Sequence, residues 1–194
     1  MIRGINLSLA MLGIVLFFFA MDFWYMNRYD RERESGKGWS WDYTLFILAM
    51  TSIIILQPWL IPWLGWGTAL LWGLALQIIG ILLVALSFGT HIWARRHLRR
   101  FYTERVEVQQ GHQVVNTGPY AMVRHPIITT FFGLAIGVFL INPSLPTLAA
   151  MIYAFWDFLN AAKKEEQLLL NTLPEYAAYM TETPPFLPRL WKKK

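Results

Sequence analysis

This sequence predicts an all-α, polytopic integral membrane protein with about five transmembrane helices, the last two a tight hairpin, together with a polar cytoplasmic region. Three observations predict it. The chain is 56% hydrophobic and 15% charged, with 10 tryptophans in 194 residues, more Trp and less charge than a soluble domain carries. Apolar runs recur at residues 5–24, 43–61, 67–93, 127–141 and 145–159, and a helix needs about 20 such residues to cross a hydrocarbon core about 30 Å thick. Numbering these runs as segments one to five leaves 16 of the 17 Lys and Arg on one side. The positive-inside rule assigns that side to the cytoplasm and the N-terminus to the outside.

The first segment is expected to be a retained helix rather than a signal peptide, because Phe17-Phe18-Phe19-Ala20-Met21-Asp22-Phe23-Trp24 offers no small-residue cleavage site. The loop at 28–41 mixes both charges and predicts a solvated connector. The second and third segments are long enough to span. Between them the loop at 57–66 carries no Lys or Arg but holds Trp59, Trp63 and Trp66, which suit an interfacial belt. Asp22 and Asp157 lie near cytoplasmic helix ends, where carboxylates reach water. Arg95, Arg96, Arg99 and Arg100 follow the third segment, where long cationic side chains snorkel to the interface.

The cytoplasmic stretch that follows is built from turns. Gln109-Gln110-Gly111-His112 predicts one, Val114-Val115 a short extended piece, and Asn116-Thr117-Gly118-Pro119 a second turn. Pro126 suits the first turn of the fourth helix, since its missing N–H is not needed there, which places His125 at the N-cap. The fourth run covers only about 23 Å at 1.5 Å per residue, and Asn142-Pro143-Ser144 separates it from the fifth. Gly133 and Gly137 form a small-xxx-small face that allows close helix approach, with the fifth helix as the expected partner. That helix runs on to about Leu173, where Pro174 ends it. The tail at 183–188 is rich in proline and predicts an irregular cover over something.

Several classes are excluded. Without cysteine there is no disulfide, thiolate nucleophile or lipidation site. His91, His97, His112 and His125 lack metal-ligand spacing, so no metal is expected. The net charge of +5 is largely a topology signal, suited to anionic lipid head groups rather than nucleic acid. No Gly-x-Gly-x-x-Gly fingerprint is present.

The C-terminal half nevertheless carries an ordered set of motifs. They are His112-Gln113-Val114-Val115, Gly118-Pro119-Tyr120, Arg124-His125-Pro126, Asn142-Pro143, Glu165-Glu166 with Leu168 or Leu169, Tyr176 with Tyr179, and the prolines at 184–188. This set, over about 105–190, resembles the isoprenylcysteine carboxyl methyltransferase and phospholipid methyltransferase group of integral membrane methyltransferases, in a prokaryotic-type form. The resemblance divides the chain into a scaffold of three transmembrane helices at 1–94 and a catalytic region at 95–194. It implies S-adenosyl-L-methionine as methyl donor, S-adenosyl-L-homocysteine as product, and a cytoplasm-facing cofactor-binding region. On matching positions it implies His112, Gln113, Val114, Val115, Tyr120, His125, Pro126, Ile127, Ile128 and Glu165 as cofactor contacts. A tyrosine common in the family is replaced by Ile128, so no phenol acts there.

The residues fit such a donor on chemical grounds. A helix starting at Pro126 offers N–H groups and a positive dipole end to a carboxylate, and Glu165 offers an acceptor to an ammonium or a ribose. Arg124 suits orientation and electrostatics, by binding a carboxylate or pairing with Glu165 or Glu166. Those two glutamates are adjacent, about 100° apart on a helix, so one is expected to face the site and Glu166 to be solvated or structural. Partners implied are the lipid bilayer and a lipophilic small molecule or lipidated substrate. A carboxylate acceptor needs no base, whereas an amine must first lose a proton; carboxyl O-methylation is favoured and phospholipid or other amine N-methylation is the alternative. The family's arginine about four residues before the glutamate pair is absent, since Asn160-Ala161-Ala162 stands there, and Leu173-Pro174 replaces a Phe-Gly. Other classes to separate are an NADPH-dependent sterol-type reductase and a non-enzymatic transporter or scaffold.

Overall fold

The computed structural model describes residues 1–29, 41–66, 72–98 and 114–189, without the side chains of 22, 26–29 and 41–44. The predicted turns at 109–112, the site residues His112 and Gln113, and most of the 28–41 connector lie outside the described residues. Among those described, six α-helices follow one another: α1 Gly4–Tyr29, α2 Trp41–Leu60, α3 Gly73–Leu98, α4 Pro126–Ile141, α5 Leu145–Thr172 and α6 Tyr176–Glu182. Each of the first five coincides with an apolar run, α5 continuing well past its own. α4 begins at the proline that fixes its first φ, and α5 stops two residues before Pro174. By length and composition, two helices, α1 over Gly4–Tyr25 and α3, suffice to cross a membrane; α2 from Leu45 and α4 are shorter apolar helices.

The chain forms two compact units. The first comprises Met1–Val84 and Ala135–Tyr153, the second Ala85–Leu134 and Ala154–Lys194; α3, α4 and α5 contribute residues to both.

In the first unit, buried amides and hydroxyls tie chain ends together. Gln77 at the start of α3 accepts from the Ile2 amide (2.9 Å) and donates to the carbonyls of Ile2 (2.9 Å) and Ile141 (3.2 Å). Asn142 donates to the Gln57 side chain (2.8 Å), which itself donates to the Ile61 carbonyl (3.1 Å). The Thr147 hydroxyl donates to the Asn142 carbonyl (2.7 Å), and the Trp66 amide to that of Pro143 (3.0 Å). Buried polar groups need such partners, more so where no water competes. The start of α1, the end of α2, the start of α3, the end of α4 and the start of α5 therefore meet.

The glycine face of α4 has a different partner from the expected one. A Cβ on Gly137 would lie 2.7 Å from Cγ2 of Val84 and 3.0 Å from the Gly80 carbonyl, and a Cβ on Gly80 would lie 2.7 Å from the Gly137 carbonyl. The close approach is thus α4 on α3, not on α5. Only hydrogen fits at either Cα, which lets two backbones meet as small-residue membrane faces do.

In the second unit, α4 and α5 pack through aromatic rings. Phe131 stacks on Phe158 with centroids 4.6 Å apart, and Phe132 on Phe155 at 4.3 Å. His91 is fully buried, with Nδ1 3.1 Å from the Thr130 hydroxyl and its ring edge-on to Phe131. Arg95, one turn further along α3, is only 4% exposed. It does not snorkel, whereas its neighbour Arg96 is exposed as expected.

Candidate functional site

The site forms where the chain between α3 and α4 passes through the second unit. Gly118 takes φ +58°, and its Cα faces the His97 imidazole so closely that a Cβ would collide with the ring. Glycine is needed there both for the backbone and for the space. Its neighbours Pro119 and Tyr120 are buried in a short 3₁₀ turn, Gly118–Ala121. The Tyr179 hydroxyl of α6 donates to the Tyr120 carbonyl at 2.6 Å.

Two small cores flank this turn. Tyr120 and Ile127 pack with Ala94, and Val115 lies against them. Leu169, Leu173, Tyr176 and Tyr179 form the other core, with Val114 against it. Successive valines thus serve two clusters, as an extended chain allows. Burial raises the hydroxyl pKa of Tyr176, helped by the nearby Glu166 and Glu165 charges, and burial pushes that of Tyr179 to about 12. Both phenols are neutral donors at physiological pH.

Arg124 and His125 precede α4 and meet the glutamates of α5. Glu166 Oε1 accepts from Arg124 Nε at 2.8 Å and lies 2.9 Å from His125 Nε2. His125 Nδ1 lies 3.4 Å from Glu165 Oε2. The His125 side chain is 3% exposed, Glu166 19% and Glu165 47%. Burial on its own lowers the imidazole pKa, but hydrogen bonds and charge from Glu165 and Glu166 outweigh it and raise the value above 6.5. For Glu166, the His125 hydrogen bond leads, burial opposes it, and the bond to Arg124 adds to the first, so its carboxyl stays below 4.5. These contacts favour the imidazolium form, in which Nε2 donates to Glu166 and Nδ1 faces Glu165.

Of the two readings of Glu166, solvated or structural, its contacts fit the structural one, and the two glutamates do not diverge. Both reach the same ring, from opposite nitrogens, and Glu166 is the more buried. Arg124 pairs with Glu166, and its Nη1 also donates to the carbonyls of Met180 (3.0 Å) and Thr183.

The proline-rich tail does cover something: the start of α4. The Arg124 and His125 amides donate to the carbonyls of Pro184 (2.8 Å) and Pro185 (2.9 Å). The Thr129 hydroxyl reaches the Phe186 carbonyl at 3.0 Å, and the Phe186 ring lies over His125, centroids 5.6 Å apart. The tail thus takes the amides just before the helix. Thr129 N makes the first intrahelical bond, to the His125 carbonyl (2.9 Å). Pro126 has no N–H, so the amides of Ile127 and Ile128 are those that an α-helix start leaves without intrahelical acceptors.

Of the residues singled out from sequence, Val114, Val115, Tyr120, Arg124, His125, Pro126, Ile127, Ile128 and Glu165 all belong to this unit, and His125 directly contacts Glu165. Sequence reasoning missed Thr129, His97 and Phe186. A hydroxyl one turn into α4 and an aromatic inside the proline tail were the only traces of two of them.

Among the described residues no group of three or more His, Cys, Asp or Glu is placed to hold a metal ion. Fold and site together define a helical membrane protein whose polar centre lies at the start of one apolar helix and is closed by its own tail. Residues 76–171 match the sequence model of the isoprenylcysteine carboxyl methyltransferase (ICMT) family, and through that stretch the chain is a member of this family.

Two curated relatives are similar over 117 residues. The nickel-cobalt-cadmium resistance protein NccN of Alcaligenes xylosoxydans xylosoxydans is 29% identical, over 60% of this chain and 51% of its own. The cobalt-zinc-cadmium resistance protein CzcN of Cupriavidus metallidurans is 28% identical, over 59% and 50%. The chain thus matches about half the length of these relatives. The fold is that of the eukaryotic intramembrane Ras methyltransferase ICMT, with a TM-score of 0.72 and 21% identity over 98% of this chain and 69% of that one.

Proposed function

We propose that this chain is an S-adenosylmethionine-dependent methyltransferase acting on a lipophilic acceptor at the membrane–cytoplasm interface, by carboxyl O-methylation of the isoprenylcysteine type. The observation that carries the reading is the Glu165–His125–Glu166–Arg124 cluster at the start of α4, in the stretch that matches the family. Its donor set suits a ligand bearing both an ammonium and a carboxylate. Glu165, half exposed and carried by α5, is an acceptor for the ammonium or ribose. The amides of Ile127 and Ile128 at the positive end of α4 suit the carboxylate. Val114, Val115 and Tyr120 wall the same region, and His112 and Gln113 precede it in sequence.

When bound, S-adenosylmethionine supplies an electrophilic methyl on a sulfonium and leaves as S-adenosylhomocysteine. The task of the protein is alignment and exclusion of water. His125, charged and held between two carboxylates, fixes the position of Glu165. Arg124 acts on orientation through Glu166 and the tail. A carboxylate acceptor is ionised near neutral pH and needs no base, whereas an amine near 10 must lose a proton; the two carboxylates on His125 favour its protonated form and make it a poorer base. Two relatives are named for metal resistance and the solved structure for a Ras methyltransferase, so the acceptor is proposed by its chemistry and not as a particular molecule.

The topology we propose has five crossing segments, the N-terminus outside, and the site and C-terminus in the cytoplasm. The hydrogen bonds of the first unit support it, because they gather helix ends that carry no Lys or Arg beyond Arg3.

Calorimetry on the detergent-purified chain tests the function. S-adenosylmethionine and S-adenosylhomocysteine bind saturably, NADPH does not, His125→Ala abolishes the signal and Trp59→Phe leaves it. NADPH binding in place of the sulfonium would support a sterol-type reductase instead, and no binding to folded protein would remove the proposal.

A further inference from the structure

The two adjacent glutamates of α5 differ in what they hold. Among the described residues Glu165 pairs with His125, and it presents nearly half of its side chain to solvent. Glu166 places one oxygen, Oε1, against two cations, Arg124 and His125. Arg124 in turn grips the carbonyls of Met180 and Thr183. From Thr183 the chain runs along the start of α4 through three further bonds, at Pro184, Pro185 and Phe186. α6 is short, and among the described residues 183–189 belong to no helix or strand. Residues 184–186 are held by their bonds to 124–129 and by the Phe186 ring against His125 and Phe132, while Thr183 and Arg189 also bond back to α6.

We propose that Glu166 and Arg124 are positioning residues that latch the segment 183–186 onto the start of α4 as a wall of the donor site, leaving Glu165 alone of the two glutamates to contact the donor. The shared Oε1 is the physical reason. Removing its charge leaves Arg124, 9% exposed, and His125, nearly buried, without the carboxylate they share. Two adjacent buried cations then repel each other, and Arg124 can no longer be held in the orientation that reaches Met180 and Thr183. A lysine at 124 would keep the charge but not the fork of donors that spans a carboxylate and two carbonyls. Removing Glu165 disturbs one exposed contact and leaves the latch whole. The role given to Glu165 rests on the methyltransferase reading; the latch does not.

The groups facing Glu166 are Arg124 and His125 from the segment before α4, Tyr176 from α6, and Glu165 on its own helix. Of these, Glu166, whose pKa is lowered, takes up its proton only in acid, and His125, whose pKa is raised, loses its proton only above its ordinary value.

Amide hydrogen exchange on the full chain in lipid nanodiscs, without donor, tests the latch. Losing a charged hydrogen bond changes an equilibrium by about ten- to a hundredfold. Glu166→Gln and Arg124→Lys are each expected to speed exchange of residues 181–189 by that factor, while Glu165→Gln leaves it at the wild-type rate. After correction for intrinsic rates, wild-type protection falls at acidic pH as Glu166 is protonated, whereas Glu166→Gln gives a flat profile. Calorimetry in parallel should show Glu165→Gln weakening S-adenosylmethionine binding with the wall intact. Should Glu166→Gln not fold, Arg124→Lys breaks the latch from the other side. Unchanged protection in Arg124→Lys, or equal loss from Glu165→Gln and Glu166→Gln, overturns the assignment. Loss of protection with no donor binding in any variant keeps the latch and removes only the methyltransferase reading.

Discussion

At the scale of single residues, the imidazole of His125 organises the site because its two nitrogens lie on opposite edges of one ring. Its pKa is raised above 6.5, so its ion pairs contribute fully below 6.5 and are lost as pH rises through the higher folded value. The Glu166 pKa is lowered below 4.5, so its share is complete above 4.5 and is lost as pH falls through the lower folded value. The gap in melting temperature between wild type and Glu166→Gln should be widest from pH 4.5 to 6.5. It should narrow at both ends; a gap constant from acid to alkali would show that the pair does not form. Most of this cluster was legible in sequence, since Arg124, His125 and Glu165 stand in recognisable order. A pairing of Arg124 with one of the glutamates was legible too, but not that both glutamates reach one ring. An angle of about 100° between neighbours on a helix argues that they diverge, yet a ring lying across both can take one at each edge. Arg95 departs from the snorkelling expectation for a related reason: a basic run after an apolar helix says nothing of which arginine turns inward.

At the scale of elements, glycines govern two contacts. Gly118→Ala meets a left-handed φ and the His97 ring together. A cost of about 1–3 kcal/mol is expected, read as a lower melting temperature, with His97→Ala in the same chain recovering the steric part. Gly80→Ala sets a methyl against the Gly137 carbonyl and Ile141 and should cost about 1–3 kcal/mol by overpacking. An unaltered melt would mean that α3 and α4 can separate freely there. The helices themselves were visible in the apolar runs, in Pro126 and in Pro174. The partner of α4 was not, because a small-residue face states how closely a neighbour comes but not which neighbour it is. Short loops suggested α5; Gly80, isolated in a long apolar run, gave no signal strong enough to suggest α3.

At the scale of the whole molecule, charge asymmetry and the buried amide network bear on the same question from independent directions. Lys and Arg cluster away from the ends that Gln57, Gln77 and Asn142 draw together. A reporter fused after residue 194 should therefore be cytoplasmic, and a tag at residue 1 accessible only from outside intact cells. Both on one side would refute an odd number of crossings. Composition made membrane residence legible; the amide network was not, because Gln57, Gln77 and Asn142 are separated in sequence and polar residues inside apolar runs do not announce their partners.

The tail also gives the protein an order in time. The carbonyls of Pro184 and Pro185 that receive the Arg124 and His125 amides are synthesised 60 residues after them. At roughly 5–20 residues per second that interval is about 3 to 12 s. Throughout it α4 exists with its entrance uncovered, and a nascent chain cut short before residue 184 would carry its apolar helices while lacking a finished centre. Completion of the site thus waits on a segment made 60 residues after the one it covers.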